Sequence, residues 1–462
     1  MDTRRQNIRF RQLELAFPKQ GGDEVPNAAE GRVEVPMAKR TTEGPAPDER
    51  LMEEVCEREN LKKALSRVKA NHGGPGVDGM TVRQLPGYLR EHWPAIRDRL
   101  LNGTYEPQPV RRKAIPKGGG GMRKLGIPTV LDRFIQQAVM QVLQRKWDRT
   151  FSEHSFGFRP KRSAHQAVVQ AQRYIAEGYR VVVDIDIEKF FDRVHHDLLM
   201  GRVAKRVGDK RLLKLIRAFL RSGNLEDGLV SPTEEGTPQG GPLSPLLSNL
   251  MLDDLDRELE HRGLCFVRYA DDCNIYVRSE RAGRRVMEGV RRFLTRKLNL
   301  TVNGSKSAVA RPGERKFLGF SFTGGLKPRR RIAPQARRRF QERVRELTRR
   351  TRGVSLAQRL TELSRYLTGW RGYFGFCETP SVLRELDAWT RRRLRSVVWK
   401  QWKRGRTRFA ELRKRGVGKD LAAQTAGCAH GPWRISHSPA LTLALPNAYF
   451  ASLGLPSLAP IR

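Results

Sequence analysis

From about residue 50 onward, apolar positions recur at spacings that switch between helix and strand. Residues 51–68, LMEEVCERENLKKALSRV, carry them at helical intervals. VVVDIDIEKFF (181–191) reads as a strand of the buried type that runs into a helix. VRYADDCNIYVR (267–278) places β-branched and aromatic residues on both sides of Asp271 and Asp272. RRKAIPKGGGGMRKLGIPTV (111–130) reads as two basic strands joined by a four-glycine turn. Past residue 327, Phe340, Val344 and Leu347 fall at i, i+4, i+7. Leu356, Leu360 and Leu363 repeat that spacing and continue through Leu367 to Trp370, and Leu383, Leu386, Trp389 and Val397 mark a third segment. These are three amphipathic helices. Residues 1–48 are rich in charge, Gly and Pro and are expected to form a flexible extension, with Ile8–Phe17 as its one apolar stretch. The expected fold class is therefore α+β.

Charge narrows the partners. The 462 residues hold 89 Lys and Arg against 49 Asp and Glu, a net +40, which attracts polyanions and makes nucleic acid the leading partner class. The excess is uneven: 327–415 contains 28 Lys and Arg but 7 Asp and Glu, too few acids for pairing within the helices to neutralise the surface. The five cysteines are scattered and match neither a disulfide frame nor a zinc site, which fits a reducing cytosol. Residues 435–461 lack Asp, Glu, Lys and Arg, yet Pro439, Pro446, Pro456 and Pro460 break them as a membrane span.

Two acidic sites then stand out. Asp253–Asp254 lies in a segment with helical spacing and is expected on a solvated face. Asp271–Asp272 lies between strand-forming runs; a hairpin turn by itself would account for it, and would also project both carboxylates from the tip. In VDIDIEKFFD, Asp184 and Asp186 alternate along a strand and so share a face, a costly arrangement unless a cation compensates. If that strand lay beside the hairpin, three or four carboxylates would surround one point. Mg²⁺ is held by such oxygens, and two Mg²⁺ about 3.5–4 Å apart would serve nucleotidyl transfer.

These residues resemble a family. YADD (269–272), DIDIEKFFDRVHHDLL (184–199), GTPQGGPLSPLLSNLML (236–252), SFGFRPKRSAHQA (155–167), LNLTVNGSKS (298–307) and FLGF (317–320) match, in order, the blocks of group II intron-encoded reverse transcriptase/maturases. The resemblance runs from about Leu51 to the C-terminus. It implies a right-hand polymerase: fingers and a palm with an antiparallel sheet at 49–326, a helical thumb or maturase domain at 327–415, and a small tail at 416–462 with possible DNA contacts. It also implies that Asp186, Asp271 and Asp272 are the metal ligands, with Asp184 as neighbour or substitute. Lys117, Arg123, Phe191, Gln239, Gly240 and Lys306 resemble the residues around the incoming nucleotide, Phe191 being the aromatic that would exclude a ribose 2′-hydroxyl. His195 and His196 have no ligand spacing and are expected to be structural.

The segment YLTGWRGYFGFCETPSVLRELDAWTRRRLRSVVWKQWKR (366–404) resembles the maturase part. Aromatics among arginines suit unpaired bases and phosphates. Arg337, Arg338, Arg365, Trp370, Arg371, Tyr373, Arg391, Arg392, Arg393, Lys400 and Lys403 are the expected RNA contacts, although Trp370 and Trp389 also suit a helix core. The tail resembles that of members without the Cys/His-rich nuclease, since it offers only Cys428, His430 and His437. The implied activity is RNA-directed DNA synthesis from dNTPs on an RNA template with a DNA primer. Binding of the host intron RNA, splicing and copying into target DNA, in a bacterial cytosol or nucleoid, are implied with it. A reverse transcriptase diverted to DNA repair or defence, or a splicing-only maturase, are the alternatives.

Overall fold

A computed structural model describes residues 50–116, 122–226, 229–231, 235–237 and 240–459. The chain divides into two compact units, each assembled from separated segments. The first takes residues up to 160 with 187–258 and 290–303; the second takes 161–186, 259–289 and 304 onward.

In the first unit, β1 (Val110–Pro116) and β2 (Met122–Ile127) form the antiparallel hairpin expected around the glycine turn. They continue into a four-stranded sheet, β2-β1-β4-β5, through β4 (Asn224–Glu226) and β5 (Leu229–Ser231). The long helix Val130–Trp147 is capped by Thr129, whose hydroxyl accepts the Asp132 N–H. It buries Phe134, Ile135, Ala138 and Val142, and the helix Arg58–Ala70 lies against it, with Asn60 donating to the Ala138 carbonyl at 3.1 Å. A buried donor satisfied this way fixes the helix pair at little cost.

The second unit holds the strands that matter most here. β3 (Val181–Ile185), β6 (Cys265–Tyr269), β7 (Asp272–Val277) and β8 (Ala308–Ala310) form an antiparallel sheet in the order β6-β7-β3-β8. Register pairs Val183 with Ile275, Asp184 with Asn274 and Ile185 with Cys273. One face therefore carries Val181, Val183, Ile185, Cys273, Ile275 and Val277, all buried. Burial of each such side chain contributes about 1.5–3 kcal/mol. The helix Glu280–Leu298 meets this face at Gly283, where any Cβ would stand 2.5 Å from Val309 Cγ1, so only glycine permits the approach. β9 (Phe320–Phe322) and β10 (Arg330–Ile332) form a separate antiparallel pair.

The three amphipathic helices appear as Pro334–Leu347, Leu356–Phe374 and Pro380–Gln401. Phe340, Val344, Leu363, Leu367, Leu386 and Leu394 make their common core. The segment after residue 416 forms short helices whose Ile435, Leu441, Leu445, Phe450 and Leu458 enter that same core instead of building one of their own. Pro439 begins one of these short helices and Pro446 precedes the next. Among the described residues, no helix is long and apolar enough to cross a membrane.

Candidate active site

β6 ends at Tyr269 and β7 begins at Asp272, and these two residues pair, leaving a two-residue turn of Ala270 and Asp271. Ala270 adopts φ 58°, a left-handed conformation that costs a non-glycine residue about 1–2 kcal/mol. The tight turn places both aspartates at the hairpin tip. Asp186 follows immediately after the last β3–β7 register pair, Ile185 with Cys273, so it leaves the sheet at the same end as Asp272. Asp184, Asn274 and Asp272 share the face opposite the apolar one.

The surroundings of the four carboxylates differ. Asp184 receives the Arg315 guanidinium, with Nε at 2.8 Å from Oδ2. In the amide orientation that pairs donor with acceptor, Asn274 also donates to Asp184 Oδ1 at 3.0 Å. Even so, burial holds the Asp184 carboxyl above its ordinary range. Asp186 is half-buried; its backbone N–H donates to Ser307 Oγ at 3.0 Å and its carboxylate stands 3.5 Å from Lys306 Nζ. Asp272 is pushed up to about 7, first by withdrawal of its carboxyl from water and then by the charges of Asp271, Asp184 and Asp186. Part of that residue's surface reaches solvent, but its carboxyl lies among protein atoms and like charges.

Among the described residues, no three His, Cys, Asp or Glu side chains stand together as a metal-holding group. Mg²⁺ usually takes one or two protein carboxylates and completes its shell with water and substrate phosphates, so a finished cage is not required of it. Hard oxygen donors whose mutual repulsion suppresses the ionisation of one of them are the right chemistry for such an ion.

A second feature lies within the first unit. A cavity of about 530 Å³ is lined by Leu125, Arg133, Gln137, Phe158, Phe191 and Gly240, among others. Two expected nucleotide residues, Phe191 and Gly240, are thus brought together. The Phe191 carbonyl accepts the Thr237 N–H at 2.6 Å, which ties the two motifs. Gly240 has φ 144°, and a Cβ there would stand 2.6 Å from the Gly126 carbonyl oxygen, so this backbone approach needs glycine. Arg123 pairs with Ile115 in the β1–β2 ladder, and Lys117 and Gln239 lie outside the described residues. His195 caps the helix His196–Ala204, and His196 is buried against the Gly236 carbonyl at 2.6 Å, both structural roles.

Sequence reasoning missed Arg315, Asn274, Arg133 and Gln137. A signal existed for the last: DRFIQQA sets paired glutamines in an otherwise apolar helix, and Gln136 and Gln137 are both buried. Arg315 carried none, being one arginine of many.

The basic helices need corrections. Trp370 is 8% exposed and packs on Phe340 and Phe374, with ring centroids 4.4 and 4.8 Å away, so it is core and presents no face to a base. Arg391 is 3% exposed and ion-paired with Asp387 at 2.8 Å; a charge so enclosed is held by its partner and cannot reach RNA. Tyr373 is half-buried, donating to the Leu318 carbonyl at 2.8 Å. Arg337 is paired with Glu385, Arg371 donates to the Ser457 carbonyl and Arg392 lies over the Trp433 ring at 4.1 Å. Arg338, Arg365, Lys400 and Lys403 are exposed, as an outward-facing contact requires, and Arg393 is half-buried.

Comparison with known proteins places this geometry in context. Residues 115–322 match the family "Reverse transcriptase (RNA-dependent DNA polymerase)" and residues 337–416 match "Group II intron, maturase-specific domain". The chain is 32% identical over 316 residues to Protein YkfC of Escherichia coli (strain K12), covering 60% of this chain and 82% of that protein. It is 40% identical over 185 residues to the Group II intron-encoded protein LtrA of Lactococcus lactis subsp. cremoris, 40% of this chain but 31% of that one. A solved structure titled "Partial Cas6-RT-Cas1--Cas2 complex" is similar at a TM-score of 0.35 and 25% identity, covering 54% of this chain and 43% of that chain.

Proposed function

The chain belongs to the group II intron reverse transcriptase/maturase family, and from that premise we propose that it makes DNA from dNTPs on an RNA template and binds folded intron RNA to promote splicing. The observation that carries the polymerase reading is the hairpin tip with Asp271 and Asp272, formed at the end of the sheet where the strand bearing Asp184 releases Asp186. Asp186, Asp271 and Asp272 are the residues that would hold two Mg²⁺ ions. When bound, those ions would lower the barrier to attack by a primer 3′-hydroxyl and offset charge on the leaving pyrophosphate.

The protein's own residues prepare that site. Arg315 and Asn274 hold Asp184 in place, which leaves Asp186 and Asp272 as the more available carboxylates. Lys306, mostly exposed and 3.5 Å from Asp186, keeps a mobile positive charge at the edge of the acidic corner, suited to a phosphate oxygen. Phe191 and Gly240, lining one cavity, would shape the seat of the nucleotide sugar and base. Lys117, Arg123 and Gln239 are proposed for the triphosphate and the pocket wall. On the helical region, Arg338, Arg365, Lys400 and Lys403 are the proposed cationic contacts to RNA.

Primer extension on an RNA template with a DNA primer, dNTPs and Mg²⁺ tests the first half of this reading, and splicing of a cognate intron transcript tests the second. Asp271→Ala combined with Asp272→Ala should abolish extension while leaving splicing. Loss of both from a folded protein would refute the separation of roles.

A further inference from the structure

Many arginines in the helical region are tied to a carboxylate or a carbonyl of the protein, and a different arrangement surrounds Trp389. Trp389, half-buried on the helix Pro380–Gln401, lies between two guanidinium groups: Arg345 at 5.6 Å from the ring centroid and Arg393 at 5.5 Å. The charges of Arg345 and Arg350 both act on Arg393 and, after burial, hold its pKa below the ordinary arginine value. Two cations thus face one aromatic ring, and the charge of a third, Arg350, reaches Arg393. Two acids of these helices are committed elsewhere, Glu346 to Arg343 and Glu385 to Arg337. Among the described residues, none of Arg345, Arg350 and Arg393 has a carboxylate partner.

Arg393 is also aimed. Its Nε donates to Thr348 Oγ1 at 2.6 Å, and Thr348 is fully buried with its own hydroxyl donating to the Val344 carbonyl. The side chain is therefore fixed by one nitrogen, while among the described residues its two terminal nitrogens have no hydrogen-bond partner. A fixed guanidinium with both terminal nitrogens open is the fork that grips two oxygens of one phosphate. Arg345 and Arg350, both exposed, flank it and can neutralise the same group.

We propose that Arg345 and Arg393, which face Trp389, form together with Arg350 a seat for a single backbone phosphodiester of a bound nucleic acid. The assignment rests on the RNA-binding reading given above and adds a specific place to it. It requires neither the acidic corner nor the cavity beside Phe191. Trp389 acts here as the platform that holds two cations against their repulsion, and Thr348 as the pin that orients one of them.

The test compares the whole protein with three variants: Arg350→Gln, Arg393→Lys, and Arg345→Gln combined with Arg393→Gln. Binding is measured across a salt series with two probes, a folded group II intron transcript and a short RNA-template/DNA-primer duplex. The double variant should bind one probe about tenfold more weakly, with the slope of log affinity against log salt reduced by about one. Arg393→Lys should lose most of that affinity despite keeping its charge, because an ammonium cannot form the fork. Arg350→Gln, exposed and unpartnered in the protein, should weaken binding without touching the fold, which covers the case of a poorly folded double variant. The probe that responds identifies the source of the phosphate: the transcript alone for intron RNA, the duplex alone for primer-template. Unchanged affinity and slope for both probes in Arg350→Gln and Arg393→Lys would overturn the seat. Primer extension by the same preparations tells that outcome apart from failure of the polymerase reading.

Discussion

The chain contains the dipeptide Asp-Asp twice in these regions, and the two copies live differently. Asp253–Asp254 sits in the helix Ser244–His261, where Asp253 is met by Arg206 at 2.9 Å and Asp254 by Arg202 at 2.6 Å. Each carboxylate there has its own guanidinium. Asp271–Asp272 sits at a hairpin tip where burial first, and then the charges of Asp271, Asp184 and Asp186, push Asp272 up to about 7. The first pair is spent on holding helices, while the second brings carboxylates close together at the end of a sheet. Identical residues differ according to the charges and the burial that the fold sets around them.

That contrast is sharpest in activity. Asp271→Ala with Asp272→Ala should take primer extension to background, whereas Asp253→Ala with Asp254→Ala should retain extension per folded molecule. Equal losses in both, with equal folded fractions, would erase the distinction. Stability should show the opposite order. Asp253 is 5% exposed, so Asp253→Ala leaves Arg206 without its main partner and should cost about 1–3 kcal/mol in denaturant unfolding. Asp254, on the exposed side, should cost about 0–1 kcal/mol.

A third test uses pH. Because the Asp272 carboxyl is raised from 3.8 to about 7, the folded protein binds that proton more tightly than the unfolded chain between those values. Stability in chelator should therefore fall as pH rises through that window, and Asp272→Asn should remove this part of the slope. Thermal melts at both ends of the window would show it. Parallel slopes for the two proteins would mean that the crowding of carboxylates is not felt. The smallest effect concerns the turn. Ala270→Gly relieves the left-handed residue but loosens the unfolded chain as well, so stability should shift by less than about 1 kcal/mol.

Much of the acidic corner was legible in the sequence. Strand-forming residues on both sides of Asp271–Asp272 implied the turn that forms there, and the alternation of Asp184 with Asp186 implied a shared strand face; the strand ends at Ile185, so Asp186 lies just beyond the register that pairs Asp184 with Asn274. The expectation for Asp253 was wrong in a useful way. Helical spacing said which segment was helical, but not that Arg206, 47 residues earlier, would cover one aspartate. Long-range ion pairs leave no local pattern, and for the same reason the pairing of Asp184 with Arg315 was invisible. Trp370 and Arg391 illustrate the limit for the basic helices. Composition counts arginines and aromatics, whereas burial decides which of them meet solvent, and that depends on how three helices and the following segment pack.

That shared packing bears on how the protein can be cut. The maturase match ends at residue 416, an inviting place to trim a polymerase for production. Yet Leu441, Phe450 and Leu458 fill space beside Trp399 and Leu394, and the backbone N–H of Leu458 donates to Asp387, the partner of Arg391. A shortened version would bare a greasy flank, take from Asp387 the backbone donor of Leu458 and clump in the test tube before its chemistry could be judged.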